Sequence, residues 1–144
     1  MLPLRSIVVA VDFEEPSRAA LRTATGLARE LGASVTILHT VVDPNAFLRP
    51  GSVYPAEVLA TMRRDAELRL EQLRAESAVP GVEVSTHILA GGAPAQEIVD
   101  WARAISADLV VVGTHGRSGL GRIFLGSVAE RVLRTSPCPV LVAR

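Results

Sequence analysis

The chain contains no lysine: all fifteen basic residues among its 144 are arginine. A Schiff-base lysine and the phosphate-gripping lysine of a P-loop are therefore excluded. Cysteine is almost absent. The single Cys138 has no partner for an intrachain disulfide, which suits a reducing compartment. Charge of one sign is lacking too, since fifteen acidic residues balance the fifteen basic ones. No global field draws this chain to nucleic acid or to an anionic membrane. Long hydrophobic runs are also missing. The opening MLPLRSIVVAVDFEE has an apolar run of only five residues, Ile7 to Val11. That is too short for a signal-peptide core or a membrane span, so the expected location is cytoplasmic.

What is present is a globular composition, 49% hydrophobic and 21% charged, on a chain of one-domain length. A single domain over residues 1–144 is expected. SIVVAV (6–11) is a β-branched run that reads as a strand buried on both faces. Ala20, Ala24, Leu27, Ala28 and Leu31 then recur at helical spacing after Pro16, and Gly32 is placed to stop that helix. SVTILHTV (34–41) reads as the second strand. The stretch 43–55 is a turn-rich loop without periodicity, of a length that often covers a site. A long helix over 56–78 follows, with Val58, Leu59, Met62, Ala66, Leu70 and Leu73 on its inner face. VEVSTHIL (82–89) is the third strand. A helix with Pro94 near its start carries Ile98, Trp101, Ala102 and Ile105 on one face. ADLVVVG is the fourth strand, a helix opens at Ser127, and PVLVA is the fifth. The β-α alternation predicts an α/β fold: a parallel sheet with helices on both faces.

Between the fourth strand and the last helix lies GTHGRSGLGRIFLGS, with five glycines from Gly113 to Gly126. In open parallel sheets, ligands sit beyond the carboxyl ends of strands, where Gly113 and Asp12 both fall. Gly113 and Gly116 bracket a turn whose N–H groups can approach an anion. The nine residues from Gly116 to Gly126, at ~3.3–3.6 Å each, reach out over a triphosphate and return. Gly126-Ser127 then opens a helix, whose N-terminal N–H groups and positive potential suit phosphate. Ser127 and Glu130 have the spacing of a capping box, so Ser127 also reads as a plain N-cap. Gly119 and Gly121 read as loop flexibility. No G-x-x-x-x-G-K-[ST] is present. On these residues alone, a phosphate loop and a flexible connection both remain open.

The spacing G-x2-G-x9-G-S, at Gly113, Gly116, Gly126 and Ser127, resembles the nucleotide-binding signature of the universal stress protein family. IVVAVD, ILHTV and the final third, ADLVVVGTHGRSGLGRIFLGSVAERVLRTSPCPVLVAR, are similar as well, so the likeness spans essentially the whole chain. The resemblance implies a five-stranded sheet of order 3-2-1-4-5, a Rossmann-like, adenine nucleotide alpha hydrolase-like architecture. It implies ATP as the ligand, with AMP or cyclic AMP as alternatives, and Mg²⁺ or Mn²⁺ carried by the phosphates. It also implies a homodimer paired through the last strand, Val140 to Ala143. By position, Ala10 and Asp12 would approach the adenosine and Thr40 would flank the adenine. Val112, Gly113, His115, Gly116 and Arg117 would wrap ribose and phosphates, and Gly126, Ser127 and Val128 would hold the phosphates. Two positions depart from the family pattern. Thr40 stands where Val is usual, and Glu14 where Ser is common; that carboxylate would either repel phosphate or help hold the metal.

Other candidates weigh less. His39 reads as a packed core histidine, His87 as sheet surface, and His115 as close to the ligand. Cys138, between prolines, and Trp101, on a helix face, read as structural. Arg117 and Arg122 are either phosphate clamps or solvated, with Arg122 nearer the solvated reading. No His/Cys/Asp/Glu cluster has metal-ligand spacing, and no nucleophile elbow is present. The leading expectation is a regulatory ATP-binding module of the stress response with no catalytic residues. A slow ATPase using Asp12, Glu14 and Arg117, and a cyclic-AMP-binding or nucleotide-free interaction protein, are the alternatives. Neither nucleic acid nor membrane is expected as a partner.

Overall fold

The computed structural model describes residues 3–116 and 123–144. Five strands form one parallel sheet. They are β1 (Ser6–Ala10), β2 (Ser34–Val42), β3 (Val84–Gly91), β4 (Leu109–Gly113) and, last in the chain, β7 (Val140–Ala143). Their order is β3-β2-β1-β4-β7, the 3-2-1-4-5 order expected for the five sheet strands. The central strand is a run of β-branched side chains because both of its faces are covered. Ile7, Val8 and Val9 are fully buried. Ile7 and Val9 pack toward α1 (Glu15–Leu31) and α2 (Ala56–Glu76) on one side. Val8 joins Leu38, Val110 and Val112 under α3 (Pro94–Ala104) and α4 (Ser127–Thr135) on the other. Each such side chain contributes about 1.5–3 kcal/mol by leaving water.

Helix ends follow local chemistry. Gly32 takes φ +68°, the left-handed conformation that glycine adopts without strain, and its N–H donates to the Ala28 carbonyl, closing α1 where the sequence predicts. The capping-box expectation at Ser127 is corrected. Gly126 is the N-cap of α4, with extended backbone and no side-chain cap. Ser127 is the first helical residue, and Glu130 pairs instead with Arg134 at 2.7 Å.

Two further expectations need revision. The inner face of α2 is only half realised. Ala66, Leu70 and Leu73 are buried, but Met62 is 37% exposed and Val58 and Leu59 are half-buried. The buried positions of the helix all fall from Ala66 onward. Ile105 falls just past the end of α3 and is also exposed. The loop at 43–55 holds a short 3-10 turn, Pro44–Phe47. There the Asp43 carboxylate accepts from the Asn45 N–H at 2.8 Å. Finally, the two sides of the glycine loop pair as an antiparallel ladder. In it, β5 (His115–Gly116) meets β6 (Ile123–Phe124).

Candidate functional site

The strand order reverses between β1 and β4, whose register sets Ile7 beside Leu109 and Val9 beside Val111. Beyond their carboxyl ends lies a cleft of about 280 Å³. That is near the lower limit of the ~300–1,000 Å³ usual for small-molecule sites. Eight of the eleven sequence-predicted site residues line it. Ala10 and Asp12 come from the end of β1, Thr40 from β2, and Val112 and Gly113 from β4. Gly126, Ser127 and Val128 come from the start of α4. His115 and Gly116 form β5, just beyond the end of β4. Arg117, like Arg122, Gly119 and Gly121, lies outside the described residues.

The lining is largely apolar, with Leu38, Ile98 and Val112 among its walls, which suits a planar aromatic base. Among the described lining residues, Asp12 is the one carboxylate and none is an arginine. Glu14 does not line the cleft; it is the N-cap of α1. The N-terminus of α4 offers backbone N–H groups and the positive end of a nine-residue helix. Among the described residues, no group of His, Cys, Asp and Glu could hold a metal ion.

Sequence reasoning missed Pro16, Ser17, Pro94, Ile98 and Thr114 as lining residues. They reach the cleft from helices and a strand end far apart in the chain, and no local spacing marks them. A partial signal existed for Pro16, Ser17 and Pro94. They sit in the first turns of α1 and α3, both at strand ends.

Gly113 has a steric reason to be glycine. A Cβ there would lie 2.5 Å from the Pro16 carbonyl carbon, closer still to its oxygen, and 2.9 Å from the Ser17 nitrogen. The end of β4 therefore presses directly on the backbone of the α1 N-terminus.

A family model described as the universal stress protein family matches residues 3–144. The chain belongs to the universal stress protein family. A universal stress protein of Methanocaldococcus jannaschii is 36% identical over 97% of this chain and 82% of its own length. Universal stress protein YxiE of Bacillus subtilis is 37% identical over 96% of this chain and 97% of its own. Among solved structures, universal stress protein UspA from Lactobacillus plantarum superposes with a TM-score of 0.79 at 26% identity, covering both chains in full. A universal stress protein from Archaeoglobus fulgidus in complex with dAMP gives 0.65 at 27% identity, over 99% of this chain and all of that one. Another, in complex with cAMP, gives 0.55 at 27% identity, over 97% and 96% of the two chains.

In this universal stress protein His39 is both a packed residue and a lining residue. Its Nδ1 lies 2.7 Å from the Val11 carbonyl, which can only accept, so Nδ1 carries the proton. Phe13 packs on the imidazole at a centroid distance of 4.4 Å, and the Arg69 guanidinium covers the Phe13 ring at 4.3 Å. Phe13 holds this place at φ +68°, a left-handed backbone that costs a bulky residue about 1–2 kcal/mol. His87 is exposed on the sheet as expected, stacked on Trp101 at 4.7 Å.

Burial holds the His39 imidazole below its ordinary value of 6.5. The bond to Val11 opposes this, Arg69 adds to the lowering, and Asp12 opposes it. A depressed folded-state value means that the unfolded chain binds the extra proton first. The contribution of neutral His39 to stability is then complete above pH 6.5 and is lost as pH falls from 6.5 through the folded value. Thermal unfolding of wild type and His39→Asn from pH 7.5 to 5.5 checks this. The wild type should lose more melting temperature over that interval than the variant, and equal losses would refute the assignment.

Proposed function

We propose that this universal stress protein binds an adenine nucleotide in the β1–β4 cleft and acts as a regulatory module in the stress response, with ATP as its working ligand. The observation that carries the reading is the convergence of eight signature and flanking positions on one cleft at the reversal of strand order. The complexes of two related structures with dAMP and cAMP support an adenine nucleotide in this fold. In this reading the apolar walls take the base, Ala10 and Asp12 meet the nucleoside, and Thr40 flanks the base. Gly126, Ser127 and Val128 hold phosphate through backbone N–H groups and the serine hydroxyl. His115, Gly116 and Arg117 close over ribose and phosphates from the glycine loop. With no lysine in the chain, arginine and backbone N–H groups must balance the phosphate charge. Bound Mg²⁺ or Mn²⁺ would ride on the phosphates, in keeping with a cleft whose one described carboxylate is Asp12.

Thermal unfolding with ATP-Mg tests the reading directly. At ten times the dissociation constant the stabilisation is about 1.4 kcal/mol, a rise of roughly 4 °C for a chain of this size. No rise at millimolar ATP-Mg would end it. Competition between ATP and cyclic AMP shows which adenine nucleotide the cleft prefers.

The proposal extends to a homodimer joined through β7, an apolar edge strand of the sheet. The Pro139 carbonyl accepts from Val110 N–H and the Ala143 carbonyl from Thr114 N–H, so both turn toward β4. By alternation, the backbone groups of Val140 and Val142 turn outward. Val142→Pro removes an outward N–H while sparing the ladder to β4. Sedimentation velocity should show a dimer for wild type and a monomer for this variant at the same concentration. A wild-type monomer would refute the pairing.

A further inference from the structure

The β3 edge of the sheet has no protection of its own. The strand pairs with β2 along its whole length, from Val84 beside Val35 to Gly91 beside Val42. Among the described residues, nothing pairs with its other side. Its sequence, VSTHILAG, has no proline and no Asp, Glu, Lys or Arg, the residues that commonly keep a free edge from pairing. The Glu83 carbonyl accepts from Val35 N–H and the Gly91 carbonyl from Asp43 N–H, so the odd-numbered residues turn their backbone groups toward β2. By alternation, Val84, Thr86, Ile88 and Ala90 present N–H and C=O outward.

We propose that β3 is a docking edge for a second copy of this chain, paired antiparallel with itself about a twofold axis at His87. The occupant follows from the register. When Val84 faces Ala90 of the second copy and Thr86 faces its Ile88, every outward N–H and C=O finds a partner. That makes about eight backbone hydrogen bonds. A shift of two residues either way pushes Val84 or Ala90 past the end of the facing strand. In the full register Glu83 falls opposite Gly91 of the second copy, so no carboxylate meets another. The two His87 side chains face each other as a non-hydrogen-bonded pair, the kind in which side chains stand closest. Each imidazole is exposed and stacked on its own Trp101 at 4.7 Å. This edge lies on the opposite side of the sheet from β7, so the two pairings are independent.

Sedimentation velocity on Val142→Pro, which silences β7, observes this edge alone. The contact is small, in the range of weak encounters, so dimers should appear only at about 0.1 mM protein and above. In that background Thr86→Pro removes an outward N–H and spares the ladder to β2, and only monomer should remain. His87→Glu and His87→Lys each set like charges face to face, and each should weaken association about fivefold. An equal mixture of these two should recover the parent's affinity, because Glu then faces Lys. The charge pair tests the register even where Thr86→Pro does not fold. Monomer alone up to about 1 mM, a dimer that survives in folded Thr86→Pro, or a mixture no tighter than its components overturns the proposal. Each of these outcomes leaves the nucleotide reading and the β7 pairing untouched.

Discussion

Gly113→Ala should lower the melting temperature by roughly 6–10 °C, the equivalent of about 2–3 kcal/mol. The added methyl meets the Pro16 carbonyl and the Ser17 nitrogen inside van der Waals contact, and both are backbone. Backbone at a helix start cannot swing aside as the end of a long side chain can. Relief requires α1 to retreat from β4, and α1 carries Ala20, Leu21, Ala24 and Ala28 into the core. The variant should also bind ATP more weakly, since the retreat drags Ser17 away from Asp12. Differential scanning calorimetry with and without nucleotide measures both effects. A melting temperature within 2 °C of wild type would mean that the contact relaxes at little cost. The first glycine of the signature is then a packing residue as well as a residue that lines the cleft. A family pattern alone does not separate these roles.

Asp12→Ala should weaken ATP binding about a hundredfold, close to 2.7 kcal/mol. The change removes the one described carboxylate of the cleft. It also releases the acceptor for the Glu14 N–H and the Ser17 hydroxyl. The loop loses its anchor at the first turn of α1, so melting should fall by about 4 °C even without nucleotide. Asp12→Asn separates the two effects. Its amide oxygen can still accept from Glu14 and Ser17, so stability should be largely kept. Its NH₂ is a donor where an acceptor is needed, so binding should still fall about tenfold. Titration calorimetry and thermal unfolding on the three proteins give both readouts. Unchanged affinity in Asp12→Ala would remove Asp12 from the site.

Most of the architecture was legible in the residues because it is written in periodicity. Ile7 to Val9 are apolar without alternation since both sheet faces are covered, and Gly32 stops α1 by taking the left-handed conformation that glycine adopts without strain. The strand order was not legible that way. Whether β1 pairs with β4 depends on contacts about a hundred residues apart, and here resemblance supplied what spacing does not. The errors have similar causes. Met62 repeats with the inner face of α2, yet it is exposed while Ala66, Leu70 and Leu73 on the same face are buried. Ser127 has the right spacing for a capping box, but Gly126 already adopts the extended conformation that ends the loop. His39 was read as core, and it is packed, but the same residue reaches the cleft. Ile98 and Thr114 lacked any signal of their own as lining residues, and Pro16, Ser17 and Pro94 had only the partial one of standing in the first turns of α1 and α3. Their role follows from how two helices and a strand end meet, which no local pattern encodes.

The position of β1 bears on how the chain comes to be folded. It is the first strand in the chain and the middle strand of the sheet. One of its edges is completed by Ser34 to Leu38 soon afterwards, but the other waits for Leu109 to Val111. Until then Ile7, Val8 and Val9 present an open, apolar, β-branched edge. Closing it means forming a loop of about a hundred residues, the kind of long-range pairing that slows folding. During synthesis, at ~5–20 residues per second, that edge stays unpaired for several seconds. The centre of the finished core is thus the nascent chain's longest-lived exposure to aggregation, and the arrival of β4 brings it to an end.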